Sequence, residues 1–139
     1  MADKILVVDD NEDVRRITTK ILSARGFEVL SASDGIQALE VAQTALPHCI
    51  LLDVMMPQMS GLDVLSGLRN DARTKRIPVI LITARVRDED VLEGYKEGAD
   101  YYITKPFSAD QLVYGVRLVL GQQAEPTAET SPEAAPVED

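Results

Sequence analysis

Cysteine is almost absent from this chain. Cys49 is the single cysteine among 139 residues, which excludes an internal disulfide, and its apolar neighbours predict a small core residue. Neither of the glycine-rich nucleotide motifs, G-x-G-x-x-G or G-x-x-x-x-G-K-[ST], follows any predicted strand, so nucleotide-binding folds are disfavoured. The length is that of one domain with a proper core.

Long apolar runs are also missing. The N-terminal run from Ile5 to Val8 is short and stops at Asp9, which is too little for a signal sequence or a membrane span. The hydrophobic content of 45% and the charged content of 27% are those of a soluble globular domain. We therefore expect a cytoplasmic protein that does not bind membranes.

Basic residues are missing from the C-terminal end. Between Gly121 and Asp139 there are five acids and no Lys or Arg, whereas the rest of the chain carries 14 bases against 18 acids. This end is rich in Pro and Ala and has no aromatic residue, so it cannot bury enough surface to offset its ordering entropy. We expect a globular domain over residues 1–121 and a disordered acidic tail over 122–139. The net charge of −9 argues against direct nucleic-acid binding.

The chain alternates between apolar runs and amphipathic stretches. The runs predict strands and the stretches show helical spacing, with Ile17 on the apolar face of the first helix and Ile36 on that of the second. Alternation of this kind predicts an α/β fold with a parallel sheet covered by helices on both faces. The predicted strands are Lys4 to Val8, Phe27 to Ala32, Cys49 to Asp53, Pro78 to Thr83 and Tyr101 to Ile103; the helices begin near Val14, Gly35, Leu62, Asp88 and Ser108.

Carboxylates stand at the ends of two predicted strands. The first strand runs into Asp9 and Asp10, and the third ends on Asp53. In a sheet of order 2-1-3-4-5, the strand order reverses between strands one and three, and ligands bind beyond the carboxyl ends of the strands at that point. Asp53 alone could simply begin a turn, but its coincidence with the other two acids indicates a site.

Two interpretations of Asp9 and Asp10 are open. One acid could cap the first helix, with Asn11 or Asp13 sharing that role. Two adjacent acids are more than a cap requires, however, and together with Asp53 they form the oxygen-rich, negatively charged setting that Mg²⁺ prefers. We favour the metal site.

Two further residues follow strands at the same predicted edge. Lys105 comes after the fifth strand, and a cis bond to Pro106 would turn its ammonium into the cleft, where it could reach a phosphoryl oxygen or a carboxylate. Thr83 closes the fourth strand; read alone, it shows only the strand preference of threonine.

Four motifs, taken in order, resemble the response-regulator receiver domain of two-component signalling. They are Val7-Val8-Asp9-Asp10, Asp53 to Pro57 followed by Gly61, Thr83-Ala84 and Lys105-Pro106-Phe107. The resemblance covers about residues 3 to 120, and the set is far more specific than any one motif. It implies a (βα)5 flavodoxin-like three-layer sandwich whose parallel five-stranded sheet has the order 2-1-3-4-5.

The resemblance also implies a role for each matched residue. Asp53 would accept a phosphoryl group from a histidine kinase or a phosphotransfer protein. The cofactor would be Mg²⁺, held directly by Asp10 and Asp53, largely through water by Asp9, and by the main-chain carbonyl of Met55. Lys105 would stabilise the charge on the phosphoryl oxygens.

A conformational switch is implied as well. Thr83 would donate its hydroxyl to the attached phosphoryl group, and Tyr102 would turn inward as Thr83 moves, although Tyr102 read alone is an ordinary strand aromatic. The switch would control a downstream effector, with the fourth helix, fifth strand and fifth helix as the expected contact face, and the chain would be a monomer or a phosphorylation-dependent dimer. Met55 and Arg85 flank the expected cleft and would affect the lifetime of the phosphorylated state.

Other readings are weaker but stay open here. A Mg²⁺-dependent phosphohydrolase also forms an aspartyl phosphate, but that class requires a second acid two residues after its nucleophile, where this chain has Met55. A constitutive binding module typically lacks one of the acids or the lysine, and none is missing. The chain suits a stand-alone receiver, which is not a turnover enzyme, and equally the receiver part of a larger regulator whose effector domain is not included.

Overall fold

Five parallel strands form a single sheet in this computed structural model, which describes residues 2–84 and 98–121. The strand order is β2-β1-β3-β4-β5, as the resemblance implied, and the fold is that of the flavodoxin-like class. The strands are β1 (Lys4–Val8), β2 (Glu28–Ala32), β3 (Cys49–Asp53), β4 (Val79–Thr83) and β5 (Tyr101–Thr104).

Four helices are described, and each begins at a side chain that caps it. The caps are Asn11, Asp34, Ser60 and Ser108, whose side-chain oxygens accept main-chain N–H groups of the first turn. The helix predicted from Asp88 to Glu97 and the tail predicted over 122–139 lie outside the described residues. The helices are α1 (Glu12–Ala24), α2 (Gly35–Ala45), α3 (Gly61–Arg69) and α4 (Ala109–Val119).

The sheet is the middle of three layers. Side chains of one sheet face form a core cluster with residues of α2 and α3, which includes Leu52, Val64 and Leu65. Those of the other face form a second cluster with residues of α1 and α4. Burial on both faces explains why β3 and β4 have no polar alternation. Cys49 belongs to this core; it is completely buried, and burial raises the pKa of its thiol far above the ordinary value.

The prediction for the buried faces of α1 and α2 was partly wrong. Ile17 is 57% exposed and Ile36 is 63% exposed, whereas Thr18 is buried. Only Thr18 and Leu22 of α1 are fully buried, so the buried face of this helix is narrower than the apolar face that its sequence predicts. Two large apolar side chains are therefore left on the surface.

Candidate functional site

Three carboxylates meet at the carboxyl ends of β1 and β3. Val8 lies opposite Leu52 in the register of these neighbouring strands, so the residues that follow, Asp9 and Asp53, are side by side. Asp9, Asp10 and Asp53 each offer an oxygen, and these oxygens lie within 4.8 Å of one another. Asp9 and Asp53 are each only 4% exposed, whereas Asp10 is exposed. The structure thus brings together the acids that the sequence placed at strand ends.

The first turn of α1 is capped by neither Asp9 nor Asp10. The side chain of Asn11 accepts the N–H of Val14 at 3.1 Å, which settles the capping alternative in favour of Asn11. Asp9 instead accepts the N–H of Asn11 with its Oδ1 at 2.9 Å, and its carbonyl oxygen accepts Nη1 of Arg15 at 2.7 Å. Neither aspartate side chain therefore serves as the cap of α1.

Lys105 points into the same cluster. The Lys105–Pro106 peptide bond is cis, as the sequence suggested, and Nζ lies 3.0 Å from Oδ2 of Asp9 and 3.6 Å from Oδ2 of Asp53. The main-chain N–H of Lys105 donates to the carbonyl of Thr83 at 2.7 Å, which ties this loop to the end of β4. The ammonium offsets part of the negative charge of the two buried acids.

The backbone around Asp53 is fixed by close packing with the start of α3. Oδ1 of Asp53 accepts the N–H of Met55 at 3.2 Å, and the N–H of Gly61 donates to the carbonyl of Val54 at 3.0 Å. A Cβ at Gly61 would collide with the carbonyl oxygen of Asp53, so glycine is required at this position. These contacts hold the loop that follows Asp53 in a fixed position between β3 and α3.

The electrostatics of Asp53 are unusual for an aspartate. Burial, followed by the charge of Asp9, raises the pKa of Asp53 from 3.8 to about 6, against the opposing effect of Lys105 and the Met55 N–H. Without a bound cation, this carboxyl group therefore titrates close to neutral pH. A positive ion beside it would favour the ionised form.

The remaining predicted residues lie around this cluster. Thr83 is the last residue of β4 and is 2% exposed; its neighbour Ile82 pairs with Asp53 in the register of β3 and β4. Tyr102 is half-buried on β5 and packs against the core cluster of α2 and α3. Met55 is 65% exposed. Arg85 lies outside the described residues.

An apolar groove beside the cluster was not foreseen from the sequence. Its volume is about 450 Å³, and the exposed side chain of Ile17 forms part of its wall. Helical spacing places Ile17 on the apolar face of α1, and this pattern does not distinguish a residue packed on the sheet from one that lines a surface groove. The groove is lined by Val14, Ile17, Thr18, Ala84, Lys105, Pro106 and Phe107.

The donor set fits a hard divalent cation. It consists of carboxylate oxygens, which Mg²⁺ prefers over nitrogen or sulfur ligands, and the three acids are near enough to share one ion. Asp10 makes no hydrogen bond or ion pair with another residue in the described part of the chain, so its carboxylate can turn towards a ligand. The acidic pocket is compatible with Mg²⁺.

Comparison with known proteins places this fold and site in a family. The model of the response regulator receiver domain matches residues 5–117, and the chain belongs to that family, which serves two-component signalling. A transcriptional regulatory protein of Staphylococcus aureus, SrrA, is 39% identical over 131 residues, which are 94% of this chain and 53% of that protein. The chain thus spans about half the length of the curated relatives it matches.

Solved structures agree with this assignment. The chemotaxis protein CheY4 of Vibrio cholerae is 33% identical, with a TM-score of 0.83 over 86% of this chain and 99% of that one. The receiver domain of response regulator 1452 from Francisella is 34% identical, with a TM-score of 0.79 over 86% of this chain and 97% of that one. Among the described residues, no helix is long and apolar enough to cross a membrane.

Proposed function

We propose that the chain is a phosphorylation-activated receiver in which Asp53 accepts a phosphoryl group from a phosphohistidine. The observation that carries this proposal is the convergence of Lys105 with three carboxylates at the sheet edge. A carboxylate oxygen of Asp53 bonds to phosphorus as the phosphorus–nitrogen bond breaks, and the electron pair stays on the imidazole nitrogen, which takes up a proton. Receivers are signalling modules, and this chain would not act as a turnover enzyme.

The neighbouring residues would divide the supporting work. Asp10, Asp53 and the main-chain carbonyl of Met55 would hold Mg²⁺ directly, with Asp9 contributing largely through water. When bound, Mg²⁺ supplies positive charge opposite the phosphoryl oxygens. Lys105 would approach the same oxygens from its place beside Asp9 and Asp53.

The output would depend on Thr83 and Tyr102. Thr83 ends the strand next to Asp53, and we propose that its hydroxyl would donate to a phosphoryl group on that residue. Tyr102 lies on the neighbouring strand, where Leu81 pairs with it. A movement of Thr83 would favour the inward state of Tyr102 and change the surface offered to an effector by β5 and its adjoining helices.

The phosphoryl donor would dock in the apolar groove beside Lys105. The groove shares Lys105 with the acidic cluster, where Nζ of this lysine lies 3.6 Å from Asp53, and it presents apolar side chains of α1 and of the loop after β5. An Ile17→Asp substitution should therefore slow transfer from a phosphorylated histidine kinase about tenfold, because it places a charge in an apolar contact, and should leave uptake from acetyl phosphate unchanged.

Ile36→Asp is the matched control for that substitution. Ile36 is similarly exposed but belongs to α2 and does not line the groove, so both reactions should keep wild-type rates. The measurement is transfer of radiolabelled phosphate from kinase to receiver. Equal slowing by Ile17→Asp with both donors would contradict the docking assignment.

The wider organisation is proposed on the same basis. We infer a receiver domain over residues 1–121 and an acidic tail over 122–139. The protein would act in the cytoplasm with a histidine kinase or phosphotransfer protein and with a downstream effector. It would make no direct contact with nucleic acid or membrane. The chain is either an independent receiver or the receiver part of a larger regulator, as the greater length of its relatives suggests. The presence of every acid and of the lysine argues against a constitutive module.

Incubation with Mg²⁺ and acetyl phosphate, followed by intact mass and peptide mapping, tests the proposed function. We expect one phosphoryl adduct on Asp53 that is stable in acid and labile in base. Chelation of the metal with EDTA should prevent its formation. An adduct on another residue, or one formed equally well in EDTA, would refute the proposal.

A further inference from the structure

Arg15, near the start of α1, reaches back to the loop that carries the acids. Its Nη1 donates to the carbonyl oxygen of Asp9 at 2.7 Å, and the side chain is half-buried. None of the roles proposed above uses this residue. Its neighbour Arg16 is different, since its side chain is 59% exposed and its guanidinium pairs with Asp13 at 3.1 Å on the surface of the helix.

The bond from Arg15 controls the orientation of one peptide group. The carbonyl of Asp9 lies in the same plane as the nitrogen and Cα of Asp10, because a peptide unit is rigid. The N–H of Asp9 donates to Ala32 at 3.2 Å, and the N–H of Asn11 donates to Oδ1 of Asp9 at 2.9 Å. With both sides of Asp10 held in this way, the Arg15 bond fixes the plane from which the Asp10 side chain projects.

Asp10 depends on its backbone for its placement. Its exposed carboxylate makes no hydrogen bond or ion pair with any other described residue, yet one of its oxygens lies within 4.8 Å of those of Asp9 and Asp53. We propose that Arg15 is a positioning residue for the divalent-cation site, which holds the Asp9–Asp10 peptide so that the Asp10 carboxylate faces the two buried acids. This inference rests on the proposed function, because it assumes that the acids bind a cation.

Removal of Arg15 would change the affinity for Mg²⁺ in opposite directions, depending on whether this residue acts through its charge or through its hydrogen bond to the Asp9 carbonyl. A guanidinium near an acidic cluster repels a second cation, so loss of its charge alone would tighten binding. Loss of its positioning bond would weaken binding instead. Mg²⁺ requires nearly ideal octahedral geometry, whereas Ca²⁺ tolerates irregular sites, so a positioning defect should reduce affinity for Mg²⁺ more than for Ca²⁺.

Calorimetric titration of metal-free Arg15→Met with each ion distinguishes the two effects. We expect the Kd for Mg²⁺ to rise about tenfold, the size that supporting groups around metal ligands typically contribute, and the Kd for Ca²⁺ to rise less than about threefold. Arg16→Met removes the same charge one residue away and should weaken neither ion. Mg²⁺ binding by Arg15→Met that is as tight as wild type, or equal loss for both ions, would overturn the inference.

Folding controls keep the test decisive. Urea unfolding in EDTA should show that Arg15→Met keeps nearly wild-type stability. If Arg15→Met does not fold, Arg15→Gln replaces it, because the shorter glutamine side chain cannot reach the carbonyl of Asp9. A greater loss of affinity for Mg²⁺ than for Ca²⁺ then supports the inference, and wild-type Mg²⁺ binding or equal loss for both ions overturns it. No phosphodonor is present, so the result is independent of phosphorylation. A wild-type protein that binds no Mg²⁺ would refute the proposed function itself, whereas wild-type binding that survives in Arg15→Met would refute only the role of Arg15.

Discussion

An Asp53→Asn protein is expected to take up no phosphoryl group and yet to be more stable than wild type at neutral pH. The first effect follows because an amide cannot replace the attacking carboxylate. The second follows because the folded protein raises the pKa of Asp53 to about 6, so that ionisation of this group at pH 7 opposes folding. The expected gain is about 2 kcal/mol, somewhat less than the full pKa shift would give, since solvent and relaxation screen the charge.

The pH dependence gives this prediction its sign. An unfolded chain releases the proton of Asp53 near pH 4, whereas the folded protein retains it until about pH 6. The folded state therefore binds more protons between these values, and the free energy of unfolding of wild type should fall as pH rises through this window. Below about pH 4 the two proteins should converge.

Chemical denaturation in EDTA at pH 7.5 and at pH 4 measures the difference. Glu28→Gln is the control, because this acid is exposed on β2 and its replacement should have no comparable effect. Excess Mg²⁺ should shrink or reverse the advantage of Asp53→Asn, since the substitution removes a metal ligand. If wild type and Asp53→Asn had equal free energies of unfolding at pH 7.5 in EDTA, the ionised Asp53 carboxylate would not destabilise the folded protein.

A Lys105→Met protein is expected to change metal binding and phosphorylation in opposite directions. In the metal-free protein the ammonium lies against Asp9 at 3.0 Å and Asp53 at 3.6 Å, where it repels any incoming cation. Its removal should tighten Mg²⁺ binding about tenfold. Phosphoryl uptake should fall by about 10²- to 10³-fold, because a preorganised positive charge is lost where negative charge develops.

Titration with Mg²⁺ at pH 8 measures metal binding under conditions in which protons do not compete with the metal for Asp53. Lys105 opposes the upward shift in the pKa of Asp53, so its loss would raise that pKa further, and alkaline pH keeps the carboxylate ionised. Lys75→Met, at an exposed lysine between α3 and β4, should alter neither metal binding nor uptake from acetyl phosphate. Weaker Mg²⁺ binding by Lys105→Met would show that the lysine does not compete with the metal.

Much of the fold follows directly from the sequence. Strands buried on both faces read as unbroken apolar runs, so β1, β3 and β4 were predicted almost to the residue, and the acids that end β1 and β3 identified the edge of the sheet where a site should form. Asp9, Asp10, Asp53 and Lys105 meet at that edge.

The features that the sequence did not predict correctly all depend on tertiary packing. Periodicity shows that a helix has an apolar side, but how much of that side touches the sheet depends on tertiary packing, which left Ile17 and Ile36 in solvent and buried Thr18. Two contacts depend on the path of the backbone: the shorter distance from Lys105 to Asp9 than to Asp53, and the bond from Arg15 to a main-chain carbonyl. No sequence motif encodes either contact.

The complete burial of Cys49 gives the protein an internal reporter. The thiol belongs to the first residue of the central strand, β3, and its pKa is raised by burial, so the reactive thiolate is scarce in every folded molecule. A thiol-specific reagent can therefore modify Cys49 only when the structure around β3 opens. Since this is the single cysteine, the rate of its labelling counts those opening events without any engineered probe.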